Sequence, residues 1–501
     1  MNHATSGRPA PTALSERTLS ALDGRIAIPT YDRRALRRSI VHLGVGGFHR
    51  AHQAVYLDDL AERRISTAWG ERGIGLLPGD RRMAEALVPQ DCLYTVVTRD
   101  PQHSAARVIG SLTDYVLAPA DPARALGLLT DPATRIVSLT ITEGGYLIDD
   151  VTGVFNADDP AVHADVRGDG PPRTVFGYLC AALAERRAAG VAPFTVLSCD
   201  NLQGNGDVAW QAIVSFARLR DDKLAAWIEA NVAFPNAMVD RITPQTTDAD
   251  RALVAATFGI ADAWPVMTEP FRQWVIEDHF CNGRPPLEEV GAQFVPDVRP
   301  YETMKLRLLN GSHQALAYLG TLAGYRYAHE VLADATFRRF VARLMDDEVT
   351  DLLPAVLGID LEDYKRTLIE RFANPAIGDT LARLATDGSD RMPKFVLPSL
   401  VEALDGGRPH RLLTLIVAGF IRYLRAVDGQ GEAIVLTDRR ASVLHALASA
   451  GATDPRPVLT VREVFGDLGE RADWVSELAA TLHELDAHGA RQTIAVALTM
   501  P

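Results

Sequence analysis

Nine consecutive residues, Lys305-Leu-Arg-Leu-Leu-Asn310-Gly-Ser-His313, carry an amine, a carboxamide and an imidazole. Met304, Leu306, Leu308 and Leu309 give them apolar surroundings. Burial lowers the proton affinity of an amine, which suits Lys305 to general acid/base work, and a neutral amide can donate to negative charge as it develops. In an α-helix Asn310 lies about 140° and His313 about 80° around the axis from Lys305, so all three fall on one side. The axial spread from Lys305 to His313 is roughly 12 Å. A long lysine reaching along the helix, or a break at Gly311, is needed to bring the three heads together. The same residues also admit a plainer structural role. Lys305 and Arg307 can be surface cations, Asn310-Gly311 a helix end that tolerates left-handed dihedrals, and His313 a satisfied, partly buried histidine.

The rest of the chain decides between these roles. A length of 501 residues exceeds one core and predicts two or three domains. The hydrophobic fraction of 47% and charged fraction of 23% belong to a soluble globular protein. A net charge of −13, with no compensating basic block, excludes nucleic acid as a primary partner. Cys92, Cys180, Cys199 and Cys281 lie far apart without a Cys-x-x-Cys, which fits a reducing compartment and offers no zinc spacing, so no metal is expected. No signal peptide is visible in the first thirty residues, and the longest apolar run, Leu412 to Ile421, is far short of the ~20 residues a membrane span requires. A cytoplasmic protein with no membrane association is expected. Without a heptad or an evident dimer face, a monomer is the default.

Residues 1–35 read as an N-terminal arm with a short helix around Leu14 to Leu22. Ser39 to Leu43 reads as a buried strand entering Gly44-Val-Gly46-Gly47-Phe48, after which Ala54, Leu57 and Leu60 recur with helical spacing. Strand, glycine turn and helix form the phosphate-cradling unit of a dinucleotide-binding fold. The third glycine of the usual motif is replaced by His49. A second strand within Trp69 to Leu77 leads to Asp80, 36 residues after Gly44. An acid there would hold the ribose hydroxyls of NAD and repel the 2′-phosphate of NADP, although Arg81 and Arg82 stand beside it. NAD is therefore the first expectation and NADP the second. Strands follow at Leu93–Val97, Arg135–Thr142 and Phe194–Cys199, with a helix from Thr174 to Arg187. Glu143 and Asn201 fall just past strand carboxyl ends, where open α/β sheets bind ligands. Asp200-Asn201 equally suits the cap of a helix beginning near Asp207. From about Asp221 the pattern turns helical, including Phe234 to Pro244, and residues 291–501 hold few β-like runs, with helix candidates at 303–322, 334–352, 361–372, 376–386, 395–404, 409–426, 438–450 and 470–488. The expected architecture is α/β: a Rossmann-type domain over 36–290, then a mainly α-helical domain over 291–501.

Six blocks in one order carry a resemblance. They are His42 to His52, Thr140-Ile-Thr-Glu-Gly-Gly-Tyr146, Ser198-Cys-Asp-Asn201, Phe234 to Pro244, Lys305 to His313, and Asp387 to Lys394. From about residue 38 to 480 the chain resembles the polyol-specific long-chain dehydrogenases. The resemblance implies metal-independent oxidation of a secondary alcohol of a sugar alcohol with NAD(P), and a small polyol or ketose as substrate. It implies Lys305 as general acid/base, Asn201 and Asn310 as amides at the reacting oxygen, and His313 as the orienting histidine. Asp240 and Arg383 match residues that hold polyol hydroxyls. Arg391 stands where a lysine is usual in mannitol-oxidising members, keeping the charge but changing reach and planarity. Gly44, Gly46, Gly47, Phe48, Asp80 and Glu143 are the expected cofactor contacts. D-mannitol and D-fructose are the expected substrate pair, with fructuronate or D-arabinitol as alternatives. An amine can take a hydroxyl proton near neutral pH only if burial brings its pKa from ~10.4 toward ~7–8. One decoy stands beside it: Tyr301-x-x-x-Lys305 has the form of the short-chain dehydrogenase pair, without that family's glycine turn.

Overall fold

The computed structural model describes residues 10–22, 24–102, 104–149 and 152–499. The chain forms two compact units, Met1–Arg299 and Pro300–Pro501.

In the first unit, β1 (Arg38–Leu43), β2 (Trp69–Gly75), β3 (Leu112–Leu117), β4 (Thr134–Leu139) and β5 (Thr195–Ser198) form one sheet in the order β3-β2-β1-β4-β5. All four pairings are parallel. A parallel sheet is covered on both faces, so its strands read as apolar runs: Ile40, Val41 and Leu43 of β1 and Ile136, Val137 and Leu139 of β4 are all buried. The order reverses between β1 and β4, and the crevice beyond the carboxyl ends of those strands is where such sheets bind ligands. Short helices follow the glycine turn, α1 (Gly47–Ala51) and α2 (Gln53–Glu62). Farther along, α3 (Val175–Ala188) starts from Thr174, whose hydroxyl accepts the Gly177 N–H at 3.0 Å. It packs Phe176, Leu179 and Leu183 into the same core as Val41, Val137 and Val196. Next comes α4 (Asn205–Arg220).

One segment departs from the sequence reading. Phe234 to Pro244 is not helical; it holds the buried strand Ala237–Asp240, antiparallel to Gln273–Glu277. The reason lies far off in sequence. The Asn205 amide pairs with both backbone groups of Ala237, donating to its carbonyl at 2.7 Å and accepting its N–H at 2.9 Å, as a neighbouring strand would. The Asn236 side chain in turn accepts the N–H groups of Gly206 and Asp207. Of the N-terminal stretch, residues 1–9 lie outside the described residues. In the remainder Thr12–Ala13 pairs with Ile260–Ala261, and Leu14, Leu22 and Ile26 enter a core with Ile260. The helix there covers only Leu19–Leu22.

The second unit is helical, apart from isolated bridges such as Tyr327 to Thr380. It includes α5 (Leu361–Phe372), α6 (Leu381–Ala385), α7 (Gly388–Phe395) and α8 (Arg411–Tyr423). The first coincides with its predicted span. The second begins five residues later than expected, where the Thr380 hydroxyl accepts the Arg383 N–H. The third was not foreseen as a helix, because Asp387-Gly388 and Pro393 are breaker residues. Among the described residues no helix is long and apolar enough to cross a membrane.

Arg186 on α3 is 1% exposed and gives its guanidinium to the carbonyls of Leu129, Asp131, Thr134 and Ala192. It ties the approach to β4 to the approach to β5. Replacing it by Met strands those buried acceptors, so Arg186→Met should lower unfolding stability by about 3 kcal/mol or more, read as a lower urea midpoint at unchanged slope.

Candidate active-site residues

The glycine turn leaves β1 at Gly44, whose φ of +93° only glycine adopts without strain. A Cβ on Gly44 would fall inside the contact radius of the Thr140 carbonyl oxygen, and the Thr140 hydroxyl donates to the Gly44 carbonyl at 2.7 Å. The turn is thus clamped to the end of β4. Gly46, Gly47, Phe48 and Asp80 line a cavity of about 880 Å³ together with Arg82, Thr243, Thr246, Arg251 and Trp264. That volume and a turn bare of side chains fit a dinucleotide. Gly44 and Glu143 are not on its wall. The threonines and Arg251, whose guanidinium lies 5.4 Å from the Trp264 ring centre, were missed. They sit some two hundred residues from the glycine turn, and only Thr243 falls within one of the six blocks.

One local expectation needs correcting. The helix after the turn is interrupted: α1 ends after five residues, and His52, at φ −120° and ψ −85°, turns the chain into α2. His52 Nε2 donates to the Gln273 carbonyl at 2.8 Å, and burial pushes the imidazole pKa down to about 3, so the ring is neutral. Asp80 lies five residues beyond β2, where the sequence places it, closing the turn Pro78–Asp80. Its carboxylate accepts the Leu77 N–H at 2.9 Å, and the residue lines the cavity.

Beyond β4 and β5, Asp200 does not cap a helix; Gly204 takes that place for α4. The Asp200 carboxylate accepts the N–H groups of Ile141 at 3.0 Å and Thr142 at 2.8 Å and the Tyr146 hydroxyl at 2.7 Å. Burial raises its pKa from the ordinary carboxylate range, against the pull of those three donors. Thr142 is held at φ +65°. Asp200 therefore fixes the loop that presents the exposed Glu143, and Asn201 follows it directly at the exposed end of β5. Asp240 ends its strand 6% exposed, and the chain continues from it into Thr243 and Thr246 of the cavity wall. The adjacent Arg241 guanidinium is held by the carbonyls of Ala51 and Glu269.

In the second unit the chain does not break at Gly311, which is helical at φ −59° and ψ −45°. Instead, Lys305–Asn310 forms a widened turn in which the Gly311 N–H reaches the Leu306 carbonyl five residues back. Five-residue spacing brings Lys305 and Asn310 nearly into line along the helix, where ordinary α geometry would separate them by about 140°. Lys305 is 7%, Glu302 3% and His313 6% exposed. The His313 ring lies 4.6 Å from that of Phe372 on α5. Asn310 Oδ1 is buried and has no hydrogen-bond partner among the described residues. The Tyr301 hydroxyl donates to the Leu357 carbonyl at 2.7 Å, which gives the decoy tyrosine a structural use. Arg383 on α6 forms a two-pronged ion pair with Asp379 at 2.7 and 2.5 Å, with its side chain 57% exposed. Arg391 on α7 donates to the Leu384 carbonyl at 2.8 Å, joining α7 to α6.

A third cluster has no counterpart among the expected residues. His42, His49 and Glu71 lie together, fully buried, behind the glycine turn, and among the described residues they form the one group with metal-ligand spacing. The two imidazoles stack 3.5 Å apart and within 10° of parallel. Ring nitrogen lone pairs lie in the ring plane, and no single point lies in both planes, so the pair does not suit one ion.

Comparison with known proteins covers both units. Residues 38–289 match the family model of the mannitol dehydrogenase Rossmann domain, and residues 297–486 that of the mannitol dehydrogenase C-terminal domain. The mannitol 2-dehydrogenase of Phaeosphaeria nodorum is 47% identical over 97% of this chain and 86% of its own length. That of Emericella nidulans is 45% identical over 97% and 99%. Among solved structures, Pseudomonas fluorescens mannitol 2-dehydrogenase in ternary complex with NAD and D-mannitol superposes with a TM-score of 0.87 at 44% identity, covering 98% of this chain and all of that one. A substrate-free D-sorbitol dehydrogenase gives 0.90 at 37% identity, covering 96% of this chain and all of that one.

Gly44→Ala drives a methyl group onto the Thr140 carbonyl and costs ~1–2 kcal/mol in backbone strain alone. Calorimetric titration with NAD should show affinity reduced by about tenfold or more. An unchanged Kd would remove the glycine turn from the binding site.

Proposed function

This chain belongs to the mannitol dehydrogenase family, and from that membership we propose that it interconverts D-mannitol and D-fructose by hydride transfer between C2 and NAD. The observation that carries this reading is the end-to-end match to an enzyme solved with both NAD and D-mannitol. The cavity at the glycine turn supports it, with Gly46, Gly47, Phe48 and Asp80 on its wall and Gly44 shaping the turn. Asp80 favours NAD over NADP by receiving ribose hydroxyls, and Glu143, exposed on the loop beyond β4 but off the cavity wall, is the further proposed cofactor contact. Bound NAD supplies the nicotinamide ring that accepts or returns the hydride.

Lys305 takes the hydroxyl proton as the alcohol is oxidised and returns it in the reverse direction. Its low exposure supports this role, because an amine withdrawn from water gives up its proton more readily. Glu302, one turn earlier and also buried, is suited to pass that proton on. Asn310 donates an N–H to the oxygen as it gains charge, and Asn201 is the second amide donor. Each is worth ~2.7–4 kcal/mol by analogy with oxyanion-hole donors, so no metal is required. His313, steadied by Phe372, orients the reacting alcohol. Asp240 accepts from the remaining hydroxyls. Arg391 and Arg383 are the proposed donors to them, the latter by exchanging part of its pairing with Asp379. D-sorbitol is the competing substrate, favoured by the likeness to D-sorbitol dehydrogenase.

Lys305→Ala should lower kcat for D-mannitol oxidation by about 10²–10⁴-fold while leaving NAD titration unchanged, followed as NADH absorbance. Full turnover by this variant would end the assignment. Across D-mannitol, D-sorbitol and D-arabinitol, and in reverse across fructose and fructuronate, kcat/KM should be highest for the mannitol–fructose pair. A clear lead for another substrate reassigns specificity without touching the lysine.

A further inference from the structure

Behind the glycine turn sits a buried acid that the proposed chemistry does not use. Glu71, on β2, has its carboxylate 3.1 Å from His49 Nε2 on α1, and both side chains are essentially inaccessible. The His49 ring stacks on His42 of β1. His42 Nε2 lies 2.9 Å from the Thr140 hydroxyl and its Nδ1 2.8 Å from the Ser138 hydroxyl. The Thr140 hydrogen is already given to the Gly44 carbonyl, so His42 donates from Nε2 and accepts at Nδ1, a neutral ring. An unbroken line of contacts therefore joins Glu71, through two imidazoles and one hydroxyl, to the residue that shapes the turn.

We propose that Glu71 is a positioning residue for the dinucleotide: paired with His49, its protonation sets the charge and seating of the glycine turn, so that cofactor affinity follows the state of that one carboxyl. This rests on the reading of the turn as the dinucleotide site. While the carboxyl is protonated it lies against the neutral His49 ring and the cluster is uncharged. Once ionised, it leaves a negative charge in a space closed to water, behind a turn that receives an anionic pyrophosphate.

The charged and titratable groups facing it are few. On β1 there is neutral His42. On α1 there are His49 and Arg50, the latter held by the Trp264 and Gly46 carbonyls and lying 5.1 Å from the Tyr94 ring centre. Tyr94, from the neighbouring strand Tyr94–Arg99, donates to the Arg50 carbonyl, and beyond β5 there is the buried Cys199 thiol. None of these supplies Glu71 with a close cation. Burial raises the Glu71 pKa to about 7 and lowers that of His49 to about 3, which puts the change of state in the physiological range. The sign follows: affinity is full below that pH and weakens as the carboxyl ionises above it, and binding near neutrality takes up protons.

The test titrates the full-length protein and its Glu71→Gln variant with NADH from about pH 6 to about pH 8.5, by nucleotide fluorescence and by calorimetry in buffers of different ionisation heat. The unaltered protein should lose about threefold to tenfold in affinity over this range with net proton uptake on binding. Glu71→Gln, which keeps size and hydrogen-bonding capacity, should bind with little pH dependence and no uptake. A variant that retains the slope and the uptake overturns the proposal. Should Glu71→Gln fold poorly, infrared difference spectra of the unaltered protein over the same range decide: a buried carboxyl that ionises supports it, and none refutes it. If NADH does not bind at any pH, the dinucleotide reading fails, and this inference with it.

Discussion

The clamp between Gly44 and the end of β4 is the constraint on which the nucleotide half of this protein depends. Parallel strands β1 and β4 run side by side, and the sheet order reverses between them. Both chains must leave the sheet at one place without colliding. A residue with φ of +93° and no side chain allows this, and the Thr140 carbonyl and hydroxyl then hold it from two directions. The bare turn beside the cavity follows from that close approach, and the same Thr140 hydroxyl lies 2.9 Å from His42 of the buried cluster.

Around the clamp, polar side chains do the work of missing backbone partners. Asp200 satisfies two N–H groups of the loop beyond β4, and Asn205 stands in for a strand opposite Ala237. Arg186 collects carbonyls that water would otherwise have to reach. Each is a buried group whose cost is offset only because every partner is present, so these residues define one arrangement of the loops rather than simply adding stability. The strained Thr142 persists for the same reason: two backbone bonds to one carboxylate leave it no other conformation.

In the helical unit the corresponding device is a change of helical pitch. The widened turn Lys305–Asn310 realigns an amine and an amide that ordinary geometry would hold apart, while Met304, Leu308 and Leu309 keep the helix anchored in its core. Similar widened turns occur at Leu316–Gly320 and Leu344–Val349, so the departure from α geometry is repeated within this unit.

Much of this was legible in the chain itself. Apolar runs that end in glycine or in polar residues located β1, β4 and β5, and the helices α3 and α5 followed from periodicity and caps, because those signals are local. The site motifs were likewise readable as residue types in order. Other features depended on partners distant in sequence. The strand at Ala237–Asp240 exists because Asn205 faces it, and the cavity wall is completed by Thr243, Thr246, Arg251 and Trp264, remote from the glycine turn. Glu71 looks like an interruption in a strand until His49 is seen beside it. Residue types and local periodicity are properties of short segments, so the sequence alone determined the elements and the chemistry on offer. Helix pitch, the environment of a buried carboxyl and the closing of a cavity are set by packing between segments that meet only in the folded chain, and only the tertiary structure decided those.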